Sequence, residues 1–533
     1  MTECPPATSA SFLYLDMVRE FNQAPPSSPD GEIRLALLGD FATQQLAPLL
    51  HVLFRRKNLA LQLYEAPYDT IEPEVLNPCS ALYAFRPDYI ALLPTSQHLK
   101  AKFYASENRK AFAGETIERW KNVWAAIAAH CGSATILQGN YVTPSERAYG
   151  HYERKVATSA GSIFAEINYG LSLAIRATRQ VLPCDIDHLA GEAGRRAWCD
   201  ERLWSIAKTF CHPDQLPHLA KAVCDIILAA RGQVTKCVVL DLDNTLWGGV
   251  IGDDGLNGIA LGGYDEGESF VTFQSFLKEL KRRGILLAVV SKNEAANAVL
   301  PFREHREMVL TEEDISVFIA NWNNKADNIR QVQRILNIGF DSIVFLDDSP
   351  FERALVRDYL PDMIVPELPG DDPALFLRVL TDLALFETAS HSETDVNRTE
   401  QYRQEAQRTL ARESFSTIAE YLRSLDMTAR LERFTPQNVP RIAQLIQRSN
   451  QFNLTTRRYS ASACAALMND PATIPFTLTL ADRFGDYGLI SVIILKTLPI
   501  RLSPTHTTYC MLPLSRVKLP EGGRDRIASD SEE

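Results

Sequence analysis

No apolar run in this 533-residue chain approaches the roughly 20 residues of a membrane span, so no membrane association is expected. The opening stretch, Met1 to Ala10, lacks a basic start followed by an apolar core, and no signal peptide is expected. There is no excess of positive charge: 55 Lys and Arg stand against 66 Asp and Glu, a net charge of −11. That balance argues against nonspecific nucleic-acid binding as the main task. The 10 cysteines include no CxxC pair. They read as reduced, mostly buried thiols of a cytoplasmic protein, and a zinc site is not expected. What remains is ordinary globular composition, 46% hydrophobic, in a chain long enough for two to four domains.

The most informative stretch runs from Lys236 to Gly255. Its apolar run, Cys237 to Leu240, reads as a buried strand that delivers Asp241 and Asp243 one residue apart. Residues i and i+2 of a strand share a face, and open parallel sheets bind ligands at the carboxyl ends of their strands. A capped strand end with an Asx-turn is the plain alternative for a lone DxD. Here more polar strand ends follow in order. A helix from Gly267 to Arg283, with Phe270, Phe273, Leu277 and Leu280 at helical spacing, stops at Gly284. Strands then read at Ile285–Val290, Val317–Ala320 and Ser342–Leu346. They end in Ser291-Lys292-Asn293, in Asn321 to Lys325, and in Asp347-Asp348-Ser349.

Those residue types suit phosphoryl transfer. A carboxylate can attack phosphorus in line, and Mg²⁺ is content with a few carboxylates and waters. A second carboxylate can protonate the leaving oxygen and then deprotonate water, while hydroxyls and an ammonium hold the phosphoryl oxygens. Asp241 is then the nucleophile and Asp243 the acid/base. Thr245, Ser291 and Lys325 bind the phosphoryl group. Asp347, helped by Asp348, completes the Mg²⁺ site with Asp241 and the backbone carbonyl of Asp243.

DLDNT, the strand-end Ser, the isolated Lys and the late DD resemble the four motifs of the haloacid dehalogenase (HAD) superfamily, and Asp243 points to phosphate chemistry within it. LDLDNTLWGGVIGDDG, LLAVVSKNE, ANWNNKADNIRQV, FLDDSPFERALVR and RSNQFNLTTRRY resemble its FkbH-type branch. The resemblance implies a glyceryl transferase/phosphatase of polyketide biosynthesis. Its substrate would be D-1,3-bisphosphoglycerate. Its partner would be an acyl carrier protein, whose phosphopantetheine thiol receives the glyceryl group while the 3-phosphate is removed. A protein cysteine could act as relay, and Cys237 is nearest the motif. It lies about 13 Å down the strand at roughly 3.3 Å per residue, which favours a core role. Trp247 and its glycines form either a lid, with a channel for the carrier arm, or a packed turn.

The flanks are less specific. Residues 1–30 end in a Pro/Ser-rich stretch and read as a flexible segment. Residues 31–230 alternate strands (Ile33–Gly39, Leu59–Ala66, Tyr89–Leu93, Ala134–Gln138) with helices such as Thr43–Arg55 and Thr116–His130. Leu38-Gly39-Asp40-Phe41 resembles the first block of SGNH hydrolases, with Phe41 in place of the nucleophilic Ser. Gly139-Asn140 and Asp185-Ile186-Asp187-His188 resemble its later blocks. Without the Ser, a non-hydrolytic scaffold or docking domain is expected, with His188 structural. Residues 231–390 form the HAD-like unit.

From 391 to 496 a linker helix, with Tyr402, Ala406 and Leu410 on one face, precedes a strand at Met427–Phe434 and a helix at Val439–Ser449. Gln451 to Leu454 come next, followed by a hairpin of Phe476–Ala481 and Gly488–Lys496. This order resembles the start of a GNAT-like acyltransferase domain; the resemblance stops at Lys496, and residues 497–533 are a divergent tail. The expected fold class is therefore α/β and multi-domain: an SGNH-like domain, a HAD-like Rossmannoid parallel sheet and a partial GNAT-like α+β domain. Two rivals to glyceryl transfer remain, a free-standing phosphatase of a small metabolite and a non-catalytic docking module.

Overall fold

Short, largely apolar runs become parallel strands in two separate sheets. The computed structural model describes residues 13–23, 29–370, 372–391, 417–448 and 459–496, with 404, 405, 407–409, 411, 412 and 415. The chain divides into two compact units, Met1–Val234 with Phe386–Ser390, and Thr235–Leu385 with His391–Glu533.

In the first unit, β1 (Gly31–Gly39), β2 (Leu59–Glu65), β3 (Tyr89–Leu93), β4 (Thr135–Gly139) and β5 (Val181–Cys184) form a parallel sheet. Its order is β2-β1-β3-β4-β5, a doubly wound arrangement whose order reverses between β1 and β3. Every residue of β3 is buried, as a central strand covered on both faces must be. The fifth strand escapes sequence reading because it is four residues long and contains Pro183, which an edge strand tolerates.

Two expectations for this unit need correction. The segment 1–30 contains a helix, Tyr14–Phe21, whose Met17 is fully buried in the unit's core. Tyr14 and Val18 pack beside it, so the signal was a short apolar stripe at i, i+3, i+4. His188 is exposed, and its ring makes no hydrogen bond, ion pair or ring contact among the described residues, so it has no structural task. Its neighbours do. Asp185 caps the helix Ile186–Ala193 by accepting from the His188 backbone N–H (3.1 Å), and it also accepts from Asn140 Nδ2 (2.7 Å). Phe41 is buried, edge-on to Phe210 at 4.8 Å between ring centres, as part of the core.

In the second unit, β6 (Cys237–Leu240), β7 (Leu286–Ser291), β8 (Ile315–Ala320) and β9 (Ile343–Leu346) are parallel in the order β8-β7-β6-β9. All four residues of β6 are buried between β7 and β9. Leu240 pairs with both Val289 and Leu346, so Asp241 and Asp347 each lie one step beyond a paired residue on adjacent strands. The helix Glu266–Arg282 buries Phe270, Phe273, Leu277 and Leu280, and two residues later Gly284 takes φ +106°, as a helix-ending residue in a left-handed conformation does.

Further along, β10 (Thr428–Arg433), β11 (Thr473–Asp482) and β12 (Gly485–Lys496) form an antiparallel sheet with a cluster of its own. Ile442 and Cys464, from the helices Val439–Arg448 and Ala461–Asn469, are fully buried in that cluster. The hairpin turn is tighter than the sequence suggested. Asp482 Oδ1 accepts from the backbone N–H groups of Phe484 (2.9 Å) and Gly485 (3.0 Å), leaving Arg483-Phe484 as the turn. Tyr402, Ala406, Leu410, Gln451 to Leu454 and 497–533 lie outside the described residues. Among the described residues no helix is long and apolar enough to cross a membrane.

Candidate active site

The strand order of the second sheet reverses at β6, and ligands of open α/β sheets bind at such a point, beyond the carboxyl ends of the strands. There β6 and β9 deliver Asp241, Asp347 and Asp348, and β8 leads through Asn321–Asn324 to Lys325. Asn324 caps the helix Lys325–Leu336 by accepting from Ala326 N–H at 2.8 Å, which fixes Lys325 as its first residue. The Lys325 ammonium, 3% exposed, lies 2.8 Å from Asp241 Oδ2 and 2.5 Å from Asp347 Oδ2.

The Lys325 ammonium is shared between Asp241 and Asp347, with the Asp348 carboxylate beside them. Burial alone would depress Lys325, but Asp241 and Asp347 outweigh it and hold the ammonium above its usual range. Burial, reinforced by the charge on Asp241, pushes the Asp347 carboxyl up to about 7 against the pull of Lys325. Asp348 is raised by burial first and then by Asp241. Asp241 Oδ1 is buried with no hydrogen-bond partner. Oxygens of Asp241, Asp347 and Asp348 all lie within 4.8 Å of one another. An orphaned carboxylate oxygen amid excess negative charge fits a hard divalent cation such as Mg²⁺.

Asp243 stands apart from that cluster. Its Oδ1 accepts from Trp247 Nε1 (2.9 Å) and Ile251 N–H (3.0 Å), and its Oδ2 from Asn293 Nδ2 (2.8 Å). Its side-chain oxygens are thus committed to these three donors. Trp247 is therefore a packed turn residue and not a lid: it is fully buried, edge-on to Phe302. Thr245 is also fully buried. Its hydroxyl accepts from Asp348 N–H at 3.2 Å and lies 3.5 Å from Asp348 Oδ1, so it braces the Asp-Asp turn instead of facing a phosphoryl group. Ser291 ends β7 with its Oγ 3.2 Å from Asn293 Nδ2. Cys237 is fully buried at the far end of β6, and burial pushes its thiol far above the ordinary range. A buried, protonated thiol is no relay.

Two residues escaped sequence reading. Arg353 donates from one nitrogen to the carbonyls of both Asp347 and Asp348, at 2.7 Å each, and pairs with Glu367 at 2.8 Å. Asn293 joins Asp243 to Ser291. The only hint of either was its position, two residues beyond Ser291 and in the first turn after Asp-Asp-Ser-Pro.

The first unit holds another group of metal-ligand type, Asp40, Asp69 and His98. Asp40 accepts from Thr95 N–H at 2.8 Å, and burial, opposed by His98, pushes it up to about 6. His98 lies 3.5 Å from Asp69 and 3.0 Å from the Tyr68 hydroxyl, beside a cavity of about 220 Å³ that Lys102 and Arg119 also line.

The sequence profile of the FkbH N-terminal domain matches residues 34–228. The chain is similar to the solved N-terminal part of the protein BF1531 from Bacteroides fragilis, which contains a phosphatase domain and is complexed with Mg. Identity is 38%, the match covers 71% of this chain and 99% of that one, and the TM-score is 0.67. Matches to the salicylyl-acyltransferase SsfX3 of a tetracycline pathway (14% identity, 39% of this chain and 56% of that one) and to a Corynascus carbohydrate esterase of family 2 (10%, 39% and 69%) have TM-scores of 0.25 and 0.24. At that level they carry no argument. Among curated proteins nothing matches.

Proposed function

Because the chain belongs to the FkbH-like HAD proteins, we propose that it is a Mg²⁺-dependent phosphatase that loads a dephosphorylated glyceryl group onto an acyl carrier protein. The observation that carries the phosphatase part is the buried Asp241 carboxylate, with one oxygen on Lys325 and the other without a partner. D-1,3-bisphosphoglycerate is the substrate this reading takes from the family resemblance.

The carrier's pantetheine thiolate attacks the C1 acyl carbon; a C–S bond forms, the acyl C–O bond breaks and phosphate leaves. Every described cysteine of the second unit, Cys237 and Cys464, is buried, which supports the carrier's own thiol as nucleophile. For the 3-phosphate, Asp241 Oδ attacks phosphorus while the P–O bond to C3 breaks and Asp243 gives its proton to the departing alkoxide. Water then attacks the aspartyl-phosphate, Asp243 takes its proton back, and phosphate leaves with Asp241 restored. In this reading Lys325 neutralises and Ser291 bonds phosphoryl oxygens. Mg²⁺, when held by Asp241, Asp347, Asp348 and the Asp243 carbonyl, supplies charge neutralisation on the phosphoryl group.

The test is intact-protein mass spectrometry of a holo-carrier protein incubated with the chain, Mg²⁺ and 1,3-bisphosphoglycerate made in situ. A glyceryl-sized gain without phosphate supports transfer and dephosphorylation together. A phosphoglyceryl adduct would count against the HAD site as the phosphatase. Phosphate release with no adduct on any of several carriers would favour the free-standing phosphatase.

A further inference from the structure

A general acid works only if its carboxyl is aimed at the ester oxygen, and the aim of Asp243 is set by three donors. Two are fixed. The Ile251 N–H belongs to the backbone, and the Trp247 indole is locked in the core; both bind Oδ1. The other oxygen, Oδ2, accepts from Asn293 and from no other group among the described residues. Asn293 is 4% exposed and has little room to turn. Its orientation follows from its partners. In the structure the Asn293 NH₂ faces Asp243, donating to its Oδ2 at 2.8 Å, an arrangement that serves the carboxyl as an acceptor in either protonation state. That NH₂ has two hydrogens, and the other is directed at Ser291 Oγ, 3.2 Å away. With its oxygen accepting from Asn293, the Ser291 hydroxyl keeps its own hydrogen for a phosphoryl oxygen.

We propose that Asn293 is the positioning residue of the acid/base: through one amide it sets the Oδ2 of Asp243 and the Oγ of Ser291 at a fixed separation, matching the ester oxygen to the phosphoryl group it leaves. This rests on the phosphatase reading above. Asn293 does not touch the reacting atoms; it acts through Asp243. Its importance therefore scales with the need for a proton. An alkyl phosphate must be protonated as its P–O bond breaks, whereas p-nitrophenolate departs without help. Replacing Asn293 should damage the first reaction far more than the second.

The experiment compares kcat/KM of the full chain with Mg²⁺ on 3-phosphoglycerate and on p-nitrophenyl phosphate. This ratio ends with departure of the leaving group and excludes the later hydrolysis of the aspartyl-phosphate. Asn293→Ala is expected to lower the value for the alkyl ester by about 100-fold, the lower range for loss of acid–base catalysis. The loss on the aryl ester is expected to be at least tenfold smaller. Asn293→Asp, isosteric but without the donor, carries the same comparison should the Ala variant fold poorly, and its loss on the alkyl ester should be larger. In an Asp243→Ala background the selective loss should vanish, because the group it acts through is gone. Equal losses on both esters, or a selective loss that survives Asp243→Ala, would overturn the proposal. An inert wild-type chain would instead overturn the phosphatase reading.

Discussion

At the scale of single residues the site is a matter of which buried polar atoms have partners. Asp241 offers one oxygen to Lys325 and leaves the other bare. Asp241→Asn removes the proposed nucleophile and a proposed metal ligand together. Phosphate release is expected to fall to background while the circular dichroism spectrum stays that of wild type; near-normal turnover by the folded variant would refute the assignment. Cys237 tests the opposite claim. It is core, so Cys237→Ala is expected to cost roughly 1 kcal/mol of stability and to leave glyceryl transfer within twofold of wild type. A folded variant unable to acylate the carrier would make Cys237 the relay after all. The grouping of Asp241, Lys325 and Asp347 was legible at this scale because each lies at or shortly beyond the end of an apolar run. Thr245 was misread, and Trp247 left open between lid and packed turn, for one reason: both polar groups point into the protein, and no sequence pattern says which way a buried hydroxyl or indole N–H faces. Asn293 and Arg353 were missed because their partners lie 50 residues upstream in the first case and are backbone carbonyls in the second.

At the scale of elements, local contacts decide which segments hold. The helix Tyr14–Phe21 is anchored by Met17, and Met17→Ala is expected to destabilise the first unit by about 2–5 kcal/mol. Urea unfolding followed by fluorescence would show it, and an unchanged midpoint would mean that the helix is not docked. The helix Glu266–Arg282 is tied to the turn before β8 by Asp314, which lies 3.4 Å from Lys278 and 3.3 Å from Lys281 and accepts from Thr311 N–H at 2.9 Å. Burial opposes its charge, but the Thr311 N–H and the two ammoniums prevail, so its carboxyl sits below the usual range. A carboxyl lowered by folding stabilises the protein above its unfolded value, near pH 4, and that contribution fades as pH falls through the folded value. Asp314→Asn should therefore lower the melting temperature at pH 7 and converge on wild type in stronger acid. A difference that does not shrink on acidification would contradict this reading. Strands were legible wherever a whole run is apolar, as in β3 and β6. The β5 strand and the first helix were not: the strand is four residues long with Pro183 inside it, and the helix offers only a short stripe of Tyr14, Met17 and Val18.

At the scale of the molecule, two units share one chain, and the proposed metal belongs to the second alone. Ligands that bind only the folded state stabilise it by mass action, about 2.7 kcal/mol at a hundred times the dissociation constant. Mg²⁺ is expected to raise the melting transition of the unit containing Thr235–Leu385 and EDTA to lower it, with Asp347→Asn abolishing the difference. A Mg²⁺ shift that persists in Asp347→Asn would locate the ion elsewhere, with Asp40, Asp69 and His98 the other group able to take it. The adjacency of β6 and β9 has a further consequence, one for synthesis on the ribosome. Asp241 and Asp347 sit side by side in the sheet but emerge about a hundred residues apart, some 5 to 20 seconds at roughly 5–20 residues per second. Throughout that interval the nascent chain carries Asp241 without the strand that brings Asp347 beside it. Under the proposed mechanism activity arises in a single late event, the docking of β9, so a message cut short before Asp347 is expected to yield an inert protein and not a weakly active one.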